Sequence, residues 1–290
     1  MIVSNQNFNC FSAKSCCELM IFDDNVDRLG TSGQMGYWRK QLNDNYGLQG
    51  TAHLSFGRNY NSWMYKIRRS IVSTKLRRLI SNMNNIEALD IGSGSGYYVD
   101  VCKQLGAKDV VGCDITSIFI KRFRTLYPRA NFIKFDLSSN FIPLIKQFDY
   151  VTAFDILSYI QEDDKYAKAI SNIYNLLKPG GLFIFSENFV QRKSHKNKFQ
   201  SIRSLSEIQS LLQATGFEIL ERSPMFYLMN APVDSDGVMI HRFWNSIKKI
   251  ASKGETFGSL IGCALYPIEL LLISISKESP STEIMVCRKH

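Results

Sequence analysis

The stretch Glu87–Asp100, EALDIGSGSGYYVD, decides how the chain is read. Ala88 to Ile91 is apolar apart from Asp90, the composition of the end of a buried parallel strand. Gly92, Gly94 and Gly96 alternate with Ser93 and Ser95, and a helix is expected from about Tyr97. A strand that turns sharply into a helix needs glycine, which takes left-handed dihedrals without penalty and lets a ligand approach the backbone. The stretch reads as the first turn of a nucleotide-binding α/β unit.

A dinucleotide site requires G-x-G-x-x-G, with helix-start amides facing a pyrophosphate. Here the spacing is G-x-G-x-G, Tyr97 stands where the third glycine is needed, and Asp90 adds negative charge close by. That arrangement suits a ligand carrying an ammonium and a sulfonium better than an anion. The next strand, Lys108–Asp114, ends in an aspartate. Its distance from the glycine turn is close to the roughly 20 residues expected of a ribose-binding carboxylate. Such a group accepts from both ribose hydroxyls, and Ile115 beside it would pack on adenine. Ser117 is placed to cap a helix over Ile118–Tyr127. Asn131–Asp136 forms a third strand, again ending in aspartate, and Phe148–Phe154 a fourth. Ligands of such sheets sit at the carboxyl edge, where Asp90, Asp114 and Asp136 all fall.

On these residues the segment from about Glu87 to Glu187 resembles the class I S-adenosylmethionine (SAM) dependent methyltransferases. It shares their E/D-x-G-x-G-x-G after a strand, their F-D-x-V (Phe148–Val151) and their K/R-P-G-G (Lys178–Gly181) before a fifth strand, LFIFSE. The resemblance implies a Rossmann-like α/β fold with a seven-stranded, mostly parallel sheet. Phe217–Arg222 would be its sixth strand and Thr282–Arg288 its seventh, inserted antiparallel. It also implies that SAM is held by Asp90, Gly92, Ser93, Gly94, Gly96, Asp114, Ile115, Asp136, Leu137, Phe154 and Tyr159. S-adenosylhomocysteine would be the product, and no metal is expected. Within that set, Asp136 would accept from the exocyclic amine of adenine and the Leu137 amide would meet a ring nitrogen. Tyr159 stands where the family often has histidine, so no histidine base is implied there. The D/N-P-P-Y/F tetrad of nucleobase amino-methyltransferases is absent. If the acceptor is a hydroxyl, a general base is needed, and Tyr159, Glu187, His53, His195 and His241 are the candidates.

The chain has 290 residues, 45% hydrophobic and 21% charged, with a formal net charge of +9. It is long enough for one sizeable core with an added cap. Three parts are expected: a loose N-terminal arm over 1–30, a helical cap over 31–84, and a SAM-binding domain over 85–290. In the cap, Trp63, Ile67, Ile71, Leu76, Leu79 and Ile80 approximate helical spacing, while Tyr37, Trp38, Tyr60, Trp63 and Tyr65 could line a pocket. The excess positive charge admits nucleic acid as a partner, but the basic residues are dispersed along the chain. The seven cysteines include no C-x-x-C, which fits reduced thiols and a cytoplasmic location. MIVSNQNFNC is unlike a signal peptide.

Pro224–Ser281 forms a long insertion before the last strand, including the apolar run Thr256–Ser276, whose single charge is Glu269. Pro267 and Glu269 within the run, and the return to the sheet on both sides, argue against a transmembrane span. The run is expected to fold over the carboxyl edge as a substrate lid with Tyr60–Tyr65, or to support a homodimer. The function expected is methyl transfer to the oxygen, nitrogen or carbon of a small, partly apolar acceptor. The alternatives are an RNA or protein methyltransferase, and a SAM-binding protein of the same fold that transfers no methyl group.

Overall fold

The computed structural model describes residues 56–116, 131–192 and 194–290. The expected arm, Tyr37, Trp38, His53 and the helix over 118–127 lie outside them. In chain order the described elements are α1 (Arg58–Leu79), β1 (Glu87–Ile91), α2 (Tyr97–Gln104), β2 (Asp109–Asp114), β3 (Asn131–Lys134) and β4 (Phe148–Phe154). There follow α3 (Asp163–Leu176), β5 (Leu177–Glu187), β6 (His195–Lys196), β7 (Ser201–Ile202), α4 (Leu205–Thr215) and β8 (Phe217–Pro224). The chain closes with α5 (Val238–Ala251), α6 (Glu255–Ile275) and β9 (Glu283–Lys289).

The main sheet has seven strands in the order β3-β2-β1-β4-β5-β9-β8. β1 to β5 pair parallel, and β9 enters antiparallel between β5 and β8. The order reverses at β1, so the carboxyl ends of β1, β2 and β4 frame the crevice where ligands of open α/β sheets bind. The mixed, mostly parallel sheet expected from the sequence is therefore present, with its antiparallel strand in the predicted segment.

Side chains alternate across the strands, as the period of two requires. Ala88, Val110, Tyr150, Ile184 and Val286 enter one core with α1, α2 and the insertion helices. Leu89, Val111, Val151, Phe183 and Met285 enter the other, with α3 and α4. Each such fully buried aliphatic side chain stabilises the fold by roughly 1.5–3 kcal/mol. α4 starts at a capping box between Ser204 and Glu207 and stops at Gly216 in the left-handed region (φ 102°).

One local expectation needs correction. Lys178–Gly181 is expected before the fifth strand, yet β5 already begins at Leu177. The register slips between Phe148 and Tyr150, Gly180 takes φ 77°, and the four residues are absorbed as a bulge in a paired strand. Lys178 lies over that bulge on Asp149 (3.0 Å) and Glu87 (3.1 Å). The basic segment after Glu187 contains a two-stranded hairpin, β6–β7.

α6 is one layer further out than a lid requires. It packs on α1 and α5, and α1 lies between it and the sheet core. Gly258 and Gly262 allow this close approach: a Cβ at Gly262 would stand 2.7 Å from Trp63 Cγ. Tyr60 is fully buried, its hydroxyl on the Met229 carbonyl (3.0 Å), and Trp63 faces Tyr266. Neither of these two aromatics lines the sheet edge; of the described candidates, Tyr65 comes nearest, its ring 4.7 Å from that of Tyr97.

Candidate functional site: the carboxyl edge of the sheet

The glycine turn is built as its spacing demands. Gly92, Gly94 and Gly96 take φ of 67°, 46° and 72°, a region where L side chains are strained. At Gly92 a Cβ would also stand 2.5 Å from Ile156 Cγ2. The turn is stitched to β2: Ser93 N donates to the Cys113 carbonyl (2.8 Å), and Gly94 N to Asp114 Oδ2 (3.1 Å). The other oxygen of Asp114 accepts from Thr116 N (2.9 Å) and Thr116 Oγ1 (2.8 Å). Burial raises the Asp114 pKa despite these donors.

Asp90 lies beneath the turn, 1% exposed. Thr152 Oγ1 donates to its Oδ1 (2.8 Å), while Oδ2 has no hydrogen-bond partner among the described residues. Burial pushes its pKa up to about 7, Thr152 opposing and Asp114 adding to the rise. A buried oxygen without a donor is costly unless something supplies one. Asp136, past the end of β3, is exposed, and its Oδ1 accepts from Ser138 N (2.8 Å) and Ser138 Oγ (2.7 Å). Leu137 is buried and its carbonyl is held by Asn172 (2.7 Å). Ile115 is exposed beside Asp114.

The β4–β5 side of the crevice carries a group that sequence reasoning missed. Asp155, directly after β4, is a non-glycine residue at φ 56°. Ser186 of β5 holds it there: Asp155 N donates to Ser186 Oγ (3.1 Å), and that hydroxyl donates to Asp155 Oδ1 (2.6 Å). The other oxygen pairs with Arg68 of α1 at 2.5 Å. Arg68 also donates to Tyr98 Oη (3.3 Å) and lies over the Phe226 ring at 4.9 Å. Burial alone would lower the Arg68 pKa, but Asp155, Tyr98 and Tyr65 outweigh it and hold the guanidinium above its usual value. Phe154 packs on Tyr98 with the rings tilted, centroids 4.1 Å apart. The only sequence hints were an acidic residue just past a buried strand and an arginine bordering the apolar face of a helix.

The base candidates do not converge. Glu187 is buried at the end of β5, with Oε1 unpartnered among the described residues. Burial pushes its pKa up to about 8 against the attraction of Arg203. Tyr159 ends a short 3-10 turn after β4, near the same edge. His195 is exposed on the β6–β7 hairpin. His241 sits on α5, its Nε2 against the Ser235 carbonyl (2.7 Å) within the insertion. Among the described residues no three His, Cys, Asp or Glu side chains gather in a group that could hold a metal.

A family profile described as a methyltransferase domain matches residues 89–185, from β1 through β5. An S-adenosylmethionine-dependent methyltransferase of Mycolicibacterium smegmatis is 26% identical over 157 residues, 52% of this chain and 59% of that protein. The mRNA cap guanine-N(7) methyltransferase of Caenorhabditis elegans is 24% identical over 271 residues, covering 78% and 70%. Among solved structures, one assigned to a sarcosine dimethylglycine methyltransferase from Galdieria sulphuraria superposes with a TM-score of 0.52. It is 15% identical and matches over 77% of this chain and 85% of that one. Sheet order, glycine turn and acidic strand ends are those of a Rossmann-like methyltransferase fold, and the profile identifies residues 89–185 as a methyltransferase domain similar to those of S-adenosylmethionine-dependent methyltransferases.

Proposed function

We propose that the chain transfers a methyl group from SAM to a small, partly apolar acceptor. The observation that carries this reading is the corner formed by Arg68, Asp155, Tyr98, Phe154 and Phe226 beside the glycine turn. A charged pair walled by aromatic rings, under a helix of the same chain, suits a compact molecule with one polar group.

The residues at the edge fit the cofactor. Gly92, Ser93, Gly94 and Gly96 would cradle it, since the three glycines are already in the left-handed geometry that keeps side chains away. Asp114 would take the ribose hydroxyls, and the unpartnered Oδ2 of Asp90 would take the ammonium. Ile115, Asp136 and Leu137 would hold adenine, with Phe154 and Tyr159 flanking the transferable group. When bound, SAM supplies an electrophilic methyl on a sulfonium.

The remaining work falls to the chain: aligning the acceptor and excluding water. Arg68 and Asp155 would orient a polar group of the acceptor while the rings bury the rest. Glu187, with a pKa of about 8, is largely protonated at neutral pH and would donate a hydrogen bond before it served as a base.

The test is release of S-adenosylhomocysteine by the full chain, given SAM and a panel of carboxylic acids, phenols and amines, beside capped RNA. Turnover with a small acceptor supports the proposal. Turnover with RNA alone, and binding that weakens steeply with salt, would replace it with the second reading. That reading is favoured by the +9 charge and the mRNA cap relative. Saturable SAM binding without turnover of any acceptor would leave a non-methylating SAM-binding protein.

A further inference from the structure

α6 is held to the body by a narrow seam. Gly258, Gly262, Leu265 and Glu269 are its buried residues, spaced as one face of a helix. Glu269 is the anchor: its carboxylate accepts from the backbone amides of Tyr227 (2.6 Å), Leu228 (2.8 Å) and Met229 (3.3 Å). The outer face is apolar and, among the described residues, uncovered. Leu260 is 63% exposed, Leu271 59% and Ile275 68%, with Phe257 and Ile268 between them. No charged side chain interrupts that face from Thr256 to Ser276, because Glu269 points inward. By length and composition alone α6 could cross a bilayer, but its seam and its Glu269 anchor tie it lengthwise to the protein.

The two helices that flank α6 carry basic and no acidic side chains. α5 exposes Val238, Met239, Phe243 and Ile250 together with Arg242, Lys248 and Lys249, and no acidic residue occurs in it. No acidic residue occurs in α1 either. Tyr266 of α6 borders a cavity of about 380 Å³, lined also by Lys66, Arg69, Ser73, Thr74 and Arg77 and by no carboxylate. Cations, hydroxyls and an adjoining apolar stripe make a surface complementary to lipid phosphate above acyl chains.

We propose that α6, α5 and the basic cavity beside Tyr266 form a face that docks on an anionic phospholipid bilayer, with α6 lying in the plane of the interface. A second copy of the chain is a poorer occupant. Isologous pairing would bring two basic α5 surfaces together, and the exposed apolar arc of α6 is wider than a coiled-coil seam. The proposal does not depend on the methyl acceptor.

The experiment is flotation of the full chain with vesicles of phosphatidylcholine alone and of phosphatidylcholine with about 30% phosphatidylserine, with light scattering on the lipid-free protein. Expected are a lipid-free monomer, partition onto the anionic vesicles only, and loss of most binding in high salt. Exchanging Arg69→Glu with Arg77→Glu should lower partition about tenfold or more. Leu260→Glu with Leu271→Glu should lower it comparably, with SAM affinity unchanged in both variants. Leu260, Leu271 and Arg77 are exposed and Arg69 is half-buried; near-ultraviolet circular dichroism checks that the folds survive. A lipid-free dimer that Leu260→Glu with Leu271→Glu converts to monomer would overturn the proposal in favour of a self-association face. A monomer that floats with neither vesicle would overturn it outright.

Discussion

The two halves of the crevice are assembled in opposite ways. On the β1–β3 side, each carboxylate is fixed by donors on its own turn or on the neighbouring strand: Asp114 by Gly94 and Thr116, Asp90 by Thr152, Asp136 by Ser138. On the β4–β5 side, Asp155 is fixed by Ser186 and by Arg68, which arrives from a helix that precedes the whole sheet in sequence. The first half is complete once β1, β2 and β4 have paired and the loop after β3 has closed. The second exists only once α1 has docked, so the two halves rest on different parts of the fold.

The comparison is broken most forcefully at the turn. Gly94→Val places a side chain at φ 46° in the strand of backbone that bonds Asp114, and saturable SAM binding should vanish by calorimetry while far-ultraviolet circular dichroism is preserved. Asp114→Ala should weaken SAM binding by about 2 kcal/mol or more, roughly thirtyfold, since charge-assisted hydrogen bonds are lost. An unchanged affinity would remove Asp114 from the ribose. Arg68→Met acts on the other half: turnover should fall about tenfold while SAM affinity changes little. Combining it with Asp155→Asn should cost less than the two losses together, because the residues act as a pair. Equal losses in turnover and SAM affinity would show the halves to be one unit.

The smallest signal is a proton. Asp90 has its pKa raised to about 7, so at pH 6 it is mostly protonated in the free protein. An ammonium beside Oδ2 would ionise it, so SAM binding should release up to one proton near pH 6 and tighten as pH rises towards 7. Calorimetry in two buffers of different ionisation enthalpy reads this directly, and Asp90→Asn should abolish it. The same raised pKa sets the sign for stability. Its contribution is fully present below the ordinary aspartate range and is lost as pH rises through about 7, where the folded protein must hold a buried charge.

What could be read from the sequence follows the same division. EALDIGSGSGYYVD, KDVVGCD and FDYVTAF each carry their structure locally, through glycine dihedrals and apolar periodicity, and the sheet formed from them as expected. The antiparallel insertion of β9 came from the family resemblance. The Arg68–Asp155 pair was not legible because its partners meet only through tertiary packing, and neither residue type is unusual where it stands. The position of α6 was misjudged for a related reason. An apolar run states that it must be covered, whereas glycines 258 and 262 and the inward Glu269 determine which neighbour touches it. The Lys178–Gly181 motif was read as preceding the strand; β5 takes it in as a bulge because Leu177 already pairs with Phe148.

The contact between Gly262 and Trp63 also bears on how this protein can drift. With Trp63 in place, even alanine at 262 would press a methyl group into the indole, so single exchanges at the glycine are closed. A lineage that enlarges position 262 must first trim position 63, and the order matters: Trp63 can shrink alone, leaving a void, whereas Gly262 cannot grow alone. Libraries that randomise both positions together should therefore recover folded chains with a larger residue at 262 only where 63 carries a side chain smaller than tryptophan.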